Sequence, residues 1–343
     1  MSTSLALLRA VFALNCIYQL TTAAILSRSM HPVREIRETD DILSRIRRDG
    51  VQKRSIPSGM IYSRELACRV DMVGIEGEYY YTETGLGVVC GTYFLADPDE
   101  IVEVEITEFD ASCEDSQLEF FDGWATSGGL FPSEMEHQLP MDQRVQAVCP
   151  RTNNRRFIFK ATQNIGMISF KLAQIGNTLR ITYKSKRIPN PCHVMAKEAS
   201  GMFTLRNHGQ EGNCSFANIY PTKITVVNMQ IGSGTNEAQL KCDAENDFVQ
   251  FLQGNVFDLP TMTSVESMCG RSGNPVPVSD NSVGSDLAPL DSSCSGGECF
   301  PGSLTIPLTC SVSLVRITST GFTENSVHFM YNRIVGAKSG CQS

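Results

Sequence analysis

Apolar and polar residues alternate in short runs along most of this chain, the period of two expected of strands with one buried and one wet face. In the stretch from Cys113 to Trp124, Leu118 and Phe120 alternate with Gln117 and Glu119, and Asp122-Gly123 supplies a turn that ends the strand. The same period marks Val102–Ile106, Ile168–Leu172, Leu179–Tyr183, Val312–Leu314 and Val327–Tyr331. Turn signals at Pro98-Asp99 and Gly176-Asn177 separate the runs. No run has the longer period of an amphipathic helix. The pattern predicts an all-β protein built of antiparallel β-sandwiches.

The pattern occurs twice. Cys68 to Cys90 and Cys192 to Cys214 are each 22 positions apart, and Gly77 and Gly201 each lie nine after the opening cysteine. Cys242 and the run Asp247–Gly254 repeat the stretch that follows Cys113. Two tandem disulfide-linked domains are expected, residues 63–186 and 192–343, joined by a proline-containing linker at 187–191. Between Cys269 and Cys310 the chain is rich in Gly, Ser, Pro and Asp, with Cys294 and Cys299 five apart. That segment reads as an exposed loop with its own small bridge.

The N-terminus changes the compartment. Arg9 precedes an apolar run from Ala10 to Leu20, and small residues follow to Ala24, the pattern of a signal peptide over residues 1–24. Residues 25–62 are polar and basic, a linker or a pro-segment cleaved at Arg45–Arg48 or Lys53-Arg54. Thirteen cysteines suit an oxidised, secreted chain, and loss of Cys16 with the signal leaves an even set of twelve. Sequence leaves many pairings open. The sequential one is simplest: Cys68–Cys90, Cys113–Cys149, Cys192–Cys214, Cys242–Cys269, Cys294–Cys299 and Cys310–Cys341. Each of the larger loops would stabilise the fold by about 3–4 kcal/mol on a chain-entropy estimate.

Charge and motifs exclude other classes. Residues 1–54 hold nine Lys/Arg and five Asp/Glu, a net of +4; with −8 for the whole chain, the remainder carries −12. An acidic body repels nucleic acid. No later apolar stretch is long enough to insert in a membrane. With no Cys-x-x-Cys and five scattered histidines, neither a structural metal nor a cofactor is expected. Hydrolase, phosphate-loop and dinucleotide fingerprints are missing too, so the chain does not read as an enzyme. Asn213-Cys214-Ser215 is a glycosylation sequon.

The paired units resemble CUB domains in cysteine spacing, in the Asp-Gly turn and in the closing strands. The runs Phe121–Trp124, Phe131–Ser133, His137–Pro140, Gly201–Leu205 and Asn213–Phe216 are more specific, and resemble the corticotropin-releasing factor-binding protein family from about Arg64 to Cys341. The resemblance implies a secreted carrier of a peptide hormone of the corticotropin-releasing factor or diuretic hormone class. The family's peptide-capture charges map to Arg64 and, with one extra residue after Cys68, to Asp71. Calcium-binding CUB domains carry an aspartate where this chain has Ser116, and Gln253 replaces the turn aspartate of the second unit, so no calcium is expected. The alternative is a CUB-type adhesion or matrix module that binds a protein or glycan.

Overall fold

The structure is a computed structural model that describes residues 61–343 apart from 69, 86, 127, 149–155, 233–246, 272–273, 278–303, 337–340 and 342–343. The expected signal peptide, the basic segment up to residue 60, Cys149, Cys242, and the Cys294–Cys299 loop lie outside the described residues.

In the first half the strands are β1 (Ser63–Glu65), β2 (Val70–Val73), β3 (Gly77–Thr82), β4 (Cys90–Leu95), β5 (Glu100–Asp110), β6 (Gln117–Asp122), β7 (Trp124–Thr126) and β8 (Gly129–Phe131). A single helical turn, α1 (Met141–Arg144), leads into β9 (Val145–Val148), β10 (Phe157–Lys160), β11 (Ile165–Lys171) and β12 (Thr178–Arg187). The second half holds β13 (His193–Met195), β14 (Ser200–Arg206), β15 (Glu211–Asn218), β16 (Thr222–Ile231) and β17 (Phe248–Gly254). It closes with β18 (Thr263–Arg271), β19 (Asn274–Pro277), β20 (Leu304–Leu308), β21 (Val312–Thr320) and β22 (Ser326–Arg333). The fold is all-β. The turn α1, which no helical period announces, follows Pro140 and is only four residues long.

Each half is a sandwich, and the layers correspond. Sheet order β1-β3-β12-β5-β10 faces β2-β4-β11-β6-β9 in the first half. In the second, β13-β15-β21-β17-β18 repeats the latter order, and β14-β22-β16-β20 repeats β3-β12-β5-β10. Even the register agrees, since Gly77 pairs with Tyr183 and Gly201 with Tyr331. Of the strands on these two sheet paths of the first half, β1 has no counterpart among the described residues of the second.

Alternation explains the outer layers. Leu179, Ile181 and Tyr183 of β12 point into the core, while Arg180 faces water and pairs with Glu108 on β5. Lys160 and Arg156 pair across the same wet face with Glu103 and Glu105. The inner layers differ, because β4, β6, β11, β15, β17 and β21 each carry buried apolar residues on both faces. Ile168 and Phe170 of β11 fill the first sandwich, whereas Ile165 and Met167 point out of it. Those outward residues, with Tyr93, Phe121, Trp124 and Phe131, meet Ala217, Tyr220, Leu252, Phe257 and Leu314 of the second half in one buried cluster. The wet face expected of the strand at Leu118–Phe120 is therefore only partly wet. Phe121 and Trp124 turn its end into a junction with the second half.

Polar groups pin this junction. The Leu130 N–H donates to the Phe257 carbonyl at 2.8 Å. Arg316 donates from Nε to buried Glu136 at 2.5 Å, and Lys197 Nζ reaches Asp97 at 2.8 Å. Buried apolar area is non-directional and these bonds are directional, so together they fix one arrangement of the halves.

Candidate functional site

The chain enters the first sandwich at its edge. β1 runs parallel to β3 in one sheet and β2 runs parallel to β4 in the other, so the short crossover between them spans both layers. Leu66 in that crossover is buried, and Cys68 is bonded to Cys90 at the head of β4. The expected site residues flank this crossing. Arg64 sits on edge strand β1 and Asp71 on edge strand β2.

The structure brings the two together. Arg64 Nη2 lies 3.0 Å from both carboxylate oxygens of Asp71. Arg64 is register partner of buried Tyr79, so its side chain lies on the inward side and closes the gap between the sheets. Its guanidinium sits 5.6 Å from the centre of the Tyr79 ring. Asp71 also accepts the N–H groups of Ala67 at 2.9 Å and Met72 at 2.8 Å. The pair is unequal: 35% of the Arg64 side chain is exposed, against 10% for Asp71. Burial works to lower the Arg64 pKa, but the bond and charge from Asp71 outweigh it and raise it. A fixed, partly exposed cation held over a carboxylate can pair with an incoming acid or stack on an aromatic group.

Gly77 shows how closely β1 is seated, since a Cβ there would stand 2.4 Å from the Tyr62 carbonyl oxygen. The Glu78 N–H donates to that oxygen at 2.8 Å, and the Leu66 N–H to Tyr80 O at 2.8 Å. The far side of β1 is paired to no strand among the described residues. This edge offers main-chain groups and a cation in one place.

Other singled-out residues have structural surroundings. Cys192 is bonded to Cys214, and Cys310 to Cys341; Cys113 and Cys269 are also disulfide-bonded. Asn213 is half-buried on β15, its Oδ1 accepting from Thr318 Oγ1 at 2.9 Å. Asp247 Oδ1 accepts from the Thr320 N–H and hydroxyl at 2.6 Å each, and Oδ2 from Asn325 Nδ2 at 2.8 Å. Asp122 takes the Thr162 N–H at 2.9 Å and lies 3.3 Å from His137 Nε2. Donors thus already occupy both carboxylates.

The first-half runs singled out above meet near the junction, whereas Gly201–Leu205 and Asn213–Phe216 pack in the second sandwich. Trp124 pairs with Phe131 across β7 and β8, and His137 reaches Asp122. Gly123 has φ +126°, and a Cβ there would meet Arg144 Nη2 and the Phe131 oxygen at 2.6 Å, so only glycine fits. Arg144 is fully buried against the Phe121 ring, donating from Nε to Asp122 O at 3.0 Å; burial lowers its pKa to about 10. Nothing in the local periodicity signals that packing, because the partners come from α1 and β8.

A family model described as the corticotropin-releasing factor binding protein N-terminal domain matches residues 60–187, and one described as its C-terminal domain matches residues 194–287. A Xenopus laevis relative named corticotropin-releasing factor-binding protein is 30% identical over 291 residues, which are 82% of this chain and 80% of that one. The chain belongs to the corticotropin-releasing factor-binding protein family. A human relative of the same name is 29% identical over 288 residues, 82% of this chain and 80% of its own. Among solved structures, the CUB1-EGF-CUB2 domains of rat MASP-1 align over 79% of this chain and 100% of theirs, with 10% identity and a TM-score of 0.24.

Proposed function

We propose that this protein is a secreted carrier that captures a peptide hormone of the corticotropin-releasing factor or diuretic hormone class and limits its access to receptor. The observation that carries this reading is the set of relatives named for binding corticotropin-releasing factor, one of them 30% identical across four-fifths of both chains. The signal-like N-terminus and the disulfides support an extracellular site of action. No helix among the described residues is long and apolar enough to cross a membrane. Capture lowers free hormone by mass action, so no reaction step is needed.

The hormone docks at the edge formed by β1 and β2. An extended or helical peptide gains contacts there without a deep pocket, with Arg64 orienting its acidic groups. Calorimetric titration of the purified protein with synthetic corticotropin-releasing factor and a diuretic hormone tests the reading. Saturable binding of either at low concentration supports it. Binding of neither, with retention on immobilised matrix proteins or glycans, makes the chain an adhesion module instead.

A further inference from the structure

The internal repeat leaves a place in the second half empty that the first half fills. β1 lies on β3, with Ser63 beside Glu78, Arg64 beside Tyr79 and Glu65 beside Tyr80. By the matched glycine registers, the equivalents of Glu78, Tyr79 and Tyr80 are Met202, Phe203 and Thr204 on β14. β14 is the last strand of its sheet, and no strand covers it among the described residues.

Its main chain is aimed outward at those positions. Arg333 N–H donates to Ala199 O and Asn207 N–H to Asn325 O, so the odd-numbered residues of β14 bond β22. In an antiparallel pair the residues between turn their N–H and C=O groups the other way. Met202 and Thr204 therefore present main-chain groups that no strand among the described residues takes up, where Glu78 N–H and Tyr80 O hold β1. The side chains agree: Tyr79 is 2% exposed beneath β1, whereas Phe203 is only half-buried and Met202 is 58% exposed.

The equivalent site differs in chemistry. Counted from Cys90 and Cys214, Asp71 corresponds to Val194, since they pair with Thr92 and Phe216. The side chain in the place of Arg64 would rest on Phe203 and Val194 with no carboxylate to meet it. An apolar group fits and an ion does not.

We propose that the free edge of β14 is a second docking element for the captured peptide, which adds an extended segment as a parallel strand and seats an apolar side chain over Phe203 and Val194. The proposal rests on the peptide-capture reading. The parallel direction follows from β1 and separates this occupant from a second copy of the chain, whose β14 could pair across a two-fold axis only antiparallel.

Two measurements on the full chain with synthetic corticotropin-releasing factor decide it. Met202→Pro removes an outward N–H that β22 does not use, a substitution edge strands tolerate. It should weaken binding roughly tenfold, the worth of one or two main-chain hydrogen bonds, with an unchanged melt. In the unaltered protein, hydrogen exchange should show Met202 and Thr204 amides gaining protection on saturation, a result independent of how the variant folds. Hormone binding without that protection overturns the proposal and leaves capture standing. So does a free protein that is dimeric with these amides already protected. Failure of the unaltered protein to bind removes both.

Discussion

The side-chain amide of Asn164, in the first half, is bound at both ends to the main chain of Met195 in the second. Asn164 Nδ2 donates to Met195 O at 2.8 Å, and Oδ1 accepts the Met195 N–H at 2.8 Å. Asn164 is 1% exposed and also donates to Ala96 O, so the clasp sits in the dry centre of the molecule. A linker alone would let the halves move; this contact and the apolar cluster around it hold them.

Asn164→Leu keeps the volume and removes the clasp. The Met195 N–H and C=O are left buried without partners, at a cost of roughly 2–3 kcal/mol. The urea midpoint should fall, with both halves unfolding in one transition. Two separated transitions in the unaltered protein would show that the junction does not couple them.

Trp124 allows an independent check, because it is the only tryptophan and lies in the shared cluster, stacked on Tyr93 at 4.1 Å. Its emission should shift at the same urea concentration as the far-ultraviolet signal of all strands. Trp124→Ala should destabilise by about 3–5 kcal/mol, the usual cost of emptying an aromatic core position. A loss confined to emission, with the midpoint unmoved, would place Trp124 outside the cooperative core.

The outer strands were legible because their pattern is local: Leu179, Ile181 and Tyr183 alternate with polar neighbours and face one core. Gly77 and Gly201, matched by counting, do occupy matched registers. The junction was not legible. Runs such as Ile165–Lys171 are apolar on both faces, and a two-faced run does not say which partner covers the second face. Arg64 and Asp71 could be picked out by resemblance. Their ion pair could not, since it depends on β1 and β2 lying on adjoining sheet edges. The open edge of β14 was not legible either, because an unfilled edge leaves no mark in the sequence.

His193 makes the junction sensitive to acid. It is buried with Nδ1 2.8 Å from Ser215 Oγ and its ring edge-on to Phe131. Burial lowers its pKa from 6.5 to about 4; Glu136 pulls it up, and His137 and Arg316 push it down further. The unfolded chain takes a proton near pH 6.5 and the folded chain only near 4, so this contribution is complete above the unfolded value. It is lost as pH falls through that window, by about 1.4 kcal/mol per pH unit and about 3 kcal/mol in all. Melts from about pH 7.5 to 4.5 should show the decline, and His193→Gln should flatten it. Equal slopes in both proteins would assign the acid sensitivity elsewhere.

Arg64 and Asp71 should separate affinity from stability. Asp71 holds the Ala67 and Met72 N–H groups as well as the arginine, and is the more buried of the two. Asp71→Ala leaves those donors without their acceptor and should cost roughly 1–3 kcal/mol of stability. Arg64 is partly in water, where an ion pair contributes about 0–1 kcal/mol, so Arg64→Ala should move the melt little. Affinity for corticotropin-releasing factor should behave differently. Arg64→Ala loses roughly 1–3 kcal/mol of binding if the guanidinium meets the peptide in a water-excluded contact. Asp71→Ala loses a similar amount, because the guanidinium is then no longer held over the edge. A double substitution should bind no worse than Arg64→Ala, since Asp71 acts on the peptide through the arginine. Additive losses would mean that Asp71 touches the peptide itself, and unchanged binding in both single variants would move the docking surface away from β1 and β2.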